Sequence, residues 1–323
     1  MDLSPTTRDW LLDSDPALRW QVERDLIGAP EEEWQATRAR VATEGFGAGL
    51  LSKQDPDGQW AGGAFFPSDF DFQGKEAQHG QPWTATTWSL KSLREWGVDA
   101  AALGDTGSRI RANSRWEYDD LPYWDGEVDA CINGFTLASG AWLGEDVTPI
   151  AQWFVDHQMA EGGWNCEWVE GSTRASFQST LNSLVGILEY EKLGLGTAEL
   201  TAARHRGEEY LLRRKAMYRE TTGEVVAPWV DKIAYPFRSF YNVLSVTDYF
   251  RAASLHDGTP PDPRLEDAIE ELRSQRQPEG TWLQARRHPG RVWFEVDVDR
   301  GEPSKWVTFL ALRVLDWWDA ARA

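Results

Sequence analysis

The sequence predicts an all-α fold of about six helical hairpins, and three observations predict it. The first is a phrase that recurs: Gln54-Asp55-Pro56-Asp57-Gly58-Gln59-Trp60, Gln158-Met159-Ala160-Glu161-Gly162-Gly163-Trp164 and Arg276-Gln277-Pro278-Glu279-Gly280-Thr281-Trp282. Each copy follows a helix-like segment, with Gly at its fifth position and Trp at its seventh. Gly supplies the positive φ that ends a helix, polar residues make the turn, and Trp offers a flat surface on which the next unit can stack. The glycines stand 104 and 118 residues apart, room for about two hairpins in each interval. The second observation is helical periodicity between the copies. The third is the scarcity of strand signals and the lack of a GxGxxG phosphate loop, which argues against a nucleotide-binding α/β fold.

The helices follow in order. Residues 16–27 open with Asp15-Pro16, a cap followed by proline in the first turn. Residues 30–43 begin with Glu31-Glu32-Glu33, suited to a helix N-terminus. Residues 83–96 carry Trp88, Leu90, Leu93 and Trp96 and stop at Gly97. Residues 128–143 are apolar on nearly all sides and rich in Gly, Ala and Ser, the pattern of a buried helix closely approached by its neighbours. Helices are further predicted over 176–193, 197–214, 239–253, 262–276 and 304–321. Residues 291–299 alternate well enough for one strand in a short β-hairpin. Residues 61–82 break the regularity with four phenylalanines, and a loop this long suggests a lid or a surface excursion. No Gly/Ser-rich or Pro-rich linker divides the chain, so residues 1–323 are expected to form one domain.

Composition narrows the function classes. With 52 acidic and 33 basic side chains the net charge is −19, a field that repels nucleic acid and anionic membranes. No stretch approaches the apolar length of a membrane span, and Met1-Asp2-Leu3-Ser4-Pro5 lacks the features of a secretory signal. A cytoplasmic location is therefore expected. The 19 tryptophans are more than one core hides, so some must occupy turns or line a cavity. The two cysteines, Cys131 and Cys166, are expected to stay reduced in such a compartment.

The repeated Gln-x3-Gly-x-Trp units resemble those of squalene–hopene cyclases and protein prenyltransferase β subunits. The resemblance covers most of the chain and implies an α/α toroid, an (α/α)6 barrel with an axial cavity. It implies little about the reaction, because such a fold hosts many chemistries. No Asp-x-Asp-Asp acid motif of the cyclases is present; Asp297-Val298-Asp299 comes nearest. Val128-Asp129-Ala130-Cys131 resembles the zinc-binding Val-Asp-x-Cys of the prenyltransferases, but Gln178 stands where that family places a histidine. The resemblance thus implies zinc held by Asp129 and Cys131, with Cys166 as a replacement ligand, or a degenerate site without metal.

Residues 123–133 gather Asp125, Glu127 and Asp129 at the start of an apolar helix, with Trp124, Cys131 and Asn133. The helix dipole favours the carboxylate form there and desolvation favours the neutral acid, and the sequence does not decide between them. Asp125, Glu127, Asp129 and Cys131 are the candidate catalytic groups. Trp83, Trp124, Asn133, Trp164, Glu167, Arg174, Gln178, Arg238, Tyr241 and Trp306 are the candidate lining of an aromatic cavity with a few polar handles. The expected function is an enzyme acting on a small, largely apolar or isoprenoid-like molecule by acid/base or metal-assisted chemistry, as a cyclase, lyase or transferase. The alternatives are a non-catalytic toroid that binds a ligand or a partner subunit, and a carbohydrate-active lyase or glycosidase with two acids roughly 5–10 Å apart.

Overall fold

The computed structural model describes residues 3–322. In chain order the helices begin with α1 (Pro5–Leu12), α2 (Pro16–Val22), α3 (Glu31–Arg40) and α4 (Gly45–Leu51). There follow α5 (Thr86–Glu95), α6 (Thr106–Asn113), α7 (Ala130–Trp142), α8 (Thr148–Asp156) and α9 (Phe177–Lys192). The series ends with α10 (Ala198–Arg213), α11 (Val243–Asp257), α12 (Glu266–Ser274) and α13 (Lys305–Ala320). The chain is mostly helical, as expected. The predicted helix over 16–27 is realised as α2 followed by a wider π-helical turn, Glu23–Ile27, which ends at Gly28 in the left-handed region. Helices α1, α4, α6 and α8 are short, and the expected set did not include them.

The strand expected over 291–299 does not form. Among the described residues the only sheet is β1 (Trp282–Leu283) paired antiparallel with β2 (Pro303–Ser304). Residues 288–295 instead use their side chains singly. The Trp293 indole N–H donates to the Thr84 carbonyl at 3.0 Å, and the Phe294 ring stacks on Phe46 with centroids 5.9 Å apart. The Arg291 guanidinium holds the Asp69 carboxylate in two contacts of 3.0 and 2.7 Å. An alternating segment becomes a strand only when a neighbour offers it a ladder, and here none does.

By contact the chain divides into two compact units. One comprises Met1–Thr37, Glu208–Arg287 and Val296–Ala323; the other comprises Arg38–Gly207 and His288–Glu295. In the second unit α5, α7 and α9 pack in succession. Helix α7 is buried along Ala130–Ala141, and it meets α9 where Gly186 faces Gly134. A Cβ on Gly186 would lie 2.4 Å from the Gly134 carbonyl oxygen, so only glycine permits this approach. In the first unit α11, α12 and α13 pack together. Arg313 of α13 there joins Asp248 of α11 at 2.6 Å and Asp25 of the π-helical turn at 3.2 Å.

The three repeated turns share one design. Gly58, Gly162 and Gly280 have φ of 94°, 99° and 88°. Trp60, Trp164 and Trp282 are fully buried. Each indole N–H donates to the carbonyl ten residues earlier, in the closing turn of the preceding helix: Leu50 at 2.9 Å, Phe154 at 3.0 Å and Leu272 at 2.8 Å. Each Trp backbone N–H donates to a threonine hydroxyl in the first turn of the following helix: Thr86 at 3.1 Å, Thr180 at 3.0 Å and Thr308 at 2.9 Å. The tryptophan thus rivets one helix end to the next helix start, with its polar groups satisfied inside the core. Gln54 and Gln158 extend the join by donating to Thr106 of α6 and to the Ala203 carbonyl of α10. In the third copy the Arg276 guanidinium sits 5.5 Å from the Trp282 ring instead, and Gln275 reaches the Asp231 carbonyl at 2.9 Å.

Candidate active site

The candidate catalytic residues lie in the unit formed mainly by residues 38–207, at the start of α7. The chain turns through Tyr123–Asp125 and enters the helix at Ala130. Asp125 is exposed, whereas Glu127 and Asp129 are half-buried. A side-chain amide fixes the approach: the Glu127 N–H donates to Asn133 Oδ1 at 2.7 Å, and Asn133 Nδ2 donates to the Glu127 carbonyl at 2.6 Å. The Glu127 carboxylate in turn accepts the Asp129 N–H at 2.5 Å. Asn133, one turn into α7, therefore holds the backbone that presents Glu127, and it is a positioning residue.

Burial is the largest influence on both carboxyls. Desolvation lifts Glu127 from 4.5 to about 7; repulsion from Asp129 and Glu117 adds to it, while the Asp129 and Val128 amides pull it back. Asp129 occupies the N-cap position of α7, yet its side chain makes no capping hydrogen bond. Burial, with repulsion from Glu170, raises it as well. Two neighbouring carboxyls thus have raised affinity for protons, and Glu127 gains or loses its proton near neutrality.

Next to these acids the two thiols converge. Cys131 Sγ lies 3.3 Å from Cys166 Sγ. The Cys131 N–H and the Ser179 hydroxyl both donate to the Cys166 sulfur at 3.4 Å, and Asn182 Nδ2 donates to Cys131 Sγ at 3.4 Å. This arrangement does not fit the implied zinc site. Asp129, Cys131 and Cys166 do not bring three ligand atoms within 4.8 Å of one another. Two thiolates on a tetrahedral zinc at about 2.3 Å would stand about 3.8 Å apart, wider than the observed approach. Gln178 is half-buried on α9 and offers only an amide.

Comparison with family models, with curated proteins and with solved structures found no match.

The other predicted site residues are dispersed. Trp124 is enclosed, with its indole N–H donating to the Gly107 carbonyl at 2.9 Å, and Trp164 is the rivet of the second repeated turn. Both serve packing. Trp83 donates to the Pro289 carbonyl at 2.8 Å and meets Trp88 edge-on, with centroids 4.7 Å apart. Glu167 and Arg174 are exposed. Arg238, Tyr241 and Trp306 belong to the other unit. There the Tyr241 hydroxyl donates to the Ala216 carbonyl at 2.6 Å, and Trp306 stacks on Tyr235 at 4.2 Å. Asp297, of the nearest approach to an acid motif, also lies there; burial lifts it to about 6, against the hydroxyl of Ser304 donating at 2.6 Å.

A further aromatic group, Trp168 with His157 and Trp153, flanks the acids. Trp168 donates its indole N–H to the Val128 carbonyl at 2.7 Å, placing its ring at the entrance to α7. His157 meets that ring with centroids 4.8 Å apart and stacks on Trp153 at 4.3 Å. All three rings are partly exposed. The Trp153/His157 spacing of four on one helix face was the available signal.

Proposed function

We propose that the chain is an α/α-toroid enzyme that transfers a proton on a small, largely apolar, oxygenated molecule, with Glu127 as general acid and base. The observation that carries this reading is the half-buried Glu127 carboxyl, poised at about 7 on a backbone held by the Asn133 clamp. A group with its pKa near the working pH combines the required protonation state with useful driving force. Such an acid is too weak to protonate an isolated alkene, which disfavours a proton-initiated polyene cyclase. It suits proton transfer to or from oxygen, or at carbon next to a carbonyl, as in a lyase-type elimination. Asp129 would keep Glu127 protonated by repulsion, and Trp168, His157 and Trp153 would offer aromatic faces to the apolar part of the molecule. The three repeated turns support the toroid, since each ties the end of one helix to the start of the next.

The test incubates the protein in deuterated buffer with geraniol, farnesol and an isoprenoid enone and follows products and deuterium incorporation by gas chromatography–mass spectrometry. Turnover that falls at least about 100-fold in Glu127→Gln while helix content is unchanged supports the assignment. Turnover that survives Glu127→Gln would remove Glu127 from the chemistry, and no turnover of any probe would count against this substrate class.

A further inference from the structure

Cys131 and Cys166 are 35 residues apart in sequence, and the fold brings their sulfurs to 3.3 Å without a metal-binding geometry. Both thiols are free. The surroundings treat them unequally. Cys166, on the turn Cys166–Glu170, is partly exposed and receives two donors, the Cys131 N–H at the first turn of α7 and the Ser179 hydroxyl of α9. Cys131 is buried, and its sulfur accepts from Asn182 Nδ2 and lies against the Cys166 thiol. Two neighbouring helices, α7 and α9, thus converge on the Cys166 sulfur.

We propose that Cys131 and Cys166 form a redox-active dithiol that a small hydroperoxide converts to an intramolecular disulfide, with Cys166 as the attacking thiolate and Cys131 as the resolving thiol. The ionisation order agrees with this assignment. The hydrogen bond shared with Cys131 draws the Cys166 pKa down against burial and the Asp129 charge, while the same contact and burial push Cys131 well up. In the first step the Cys166 thiolate attacks a peroxide oxygen. An S–O bond forms, the O–O bond breaks, and the leaving alkoxide or hydroxide takes a proton from water. In the second step Cys131 attacks the sulfenic sulfur. The S–S bond forms, the S–O bond breaks, and hydroxide departs with the Cys131 proton as water. Two thiols lose two electrons and the hydroperoxide becomes an alcohol and water. Closing the bond requires the sulfurs to approach from 3.3 Å to about 2.05 Å. The linkage ties the first turn of α7 to the Cys166–Glu170 turn, and it stands independently of the proton-transfer role of Glu127.

The experiment treats the reduced full chain with hydrogen peroxide, blocks remaining thiols by alkylation under denaturing conditions, and maps peptides by mass spectrometry. The expected product is a monomer lighter by about 2 Da, unalkylated, with a Cys131–Cys166 cross-linked peptide that dithiothreitol reverses. Cys131→Ser should stop at a Cys166 sulfenic acid that dimedone traps, and Cys166→Ser should leave Cys131 as a thiol under the same dose. Wild-type protein whose thiols both remain alkylatable, or that gains oxygen without losing about 2 Da, overturns the proposal. So does cross-linking only between molecules, or Cys131 in Cys166→Ser reacting as fast as Cys166 in Cys131→Ser.

Discussion

Replacing Glu127 by Gln isolates what it costs to keep an ionised carboxylate half-buried at the start of α7. Gln preserves the shape and an oxygen for the Asp129 amide, and it mimics the protonated acid. Burial raises Glu127 from 4.5 to about 7. Between those values the folded chain keeps the proton and the unfolded chain has released it, so unfolding liberates a proton. The stability from the protonated carboxyl is therefore complete below the unfolded value and is lost as pH rises through the folded one. The full displacement corresponds to about 3 kcal/mol. Partial solvent exposure of the group reduces that to about 1–2 kcal/mol.

Glu127→Gln has no charge to bury. It should match the wild type at about pH 5 and exceed it by about 1–2 kcal/mol at about pH 8. Urea unfolding followed by tryptophan fluorescence at several pH values measures the difference. The tryptophans report on both compact units, so the comparison uses the transition that shifts with the substitution. A difference that stays constant from about pH 5 to about pH 8, or a variant less stable at the higher pH, refutes the argument that desolvation governs this carboxyl.

Three further outcomes follow from the packing and the thiol geometry. Trp60→Ala, Trp164→Ala and Trp282→Ala should each destabilise by about 3–5 kcal/mol, and Thr86→Val, which removes one rivet bond, by about 1–3 kcal/mol, read by thermal or urea unfolding. Glu191→Ala removes the carboxylate paired with the buried Arg204 at 2.6 Å and should cost about 3–5 kcal/mol; joint replacement by Leu and Met should recover most of it. Elemental analysis of protein purified in the presence of a chelator should find zinc well below one equivalent, with no change in thermal midpoint when zinc is restored.

The architecture was legible where its signals are local. A glycine in the left-handed region and a tryptophan two residues later mark a turn from sequence alone, and the constant step of ten from each indole to its carbonyl follows from that local geometry. The threonine partners were not legible. They lie 26, 16 and 26 residues beyond the tryptophan, because the intervening loops differ in length while the helix start they reach is the same. Residues 291–299 show the opposite failure: the alternation is real, but a strand also needs a partner that alternation cannot supply.

The site was legible in part for the same reason. Glu127, Asp129 and Cys131 are consecutive odd positions entering one helix, so their proximity needs no tertiary information. Whether dipole or burial controls them depends on what covers α7, and that is a property of the whole unit. The pairing of Cys166 with Cys131 depends on a short helical turn after Trp164, and the proximity of Trp168 depends on the same turn. One local element therefore delivers both a thiol and an aromatic ring to the helix entrance, its start fixed by the second repeated tryptophan. The repeat thus acts on the chemistry at one remove: Trp164 is fully buried and bonded to Phe154 and Thr180, yet shifting it would move Cys166 and Trp168 together. A perturbation of the rivet that leaves the helices intact, such as Thr180→Val, should on this argument alter Cys166 reactivity before it alters Glu127.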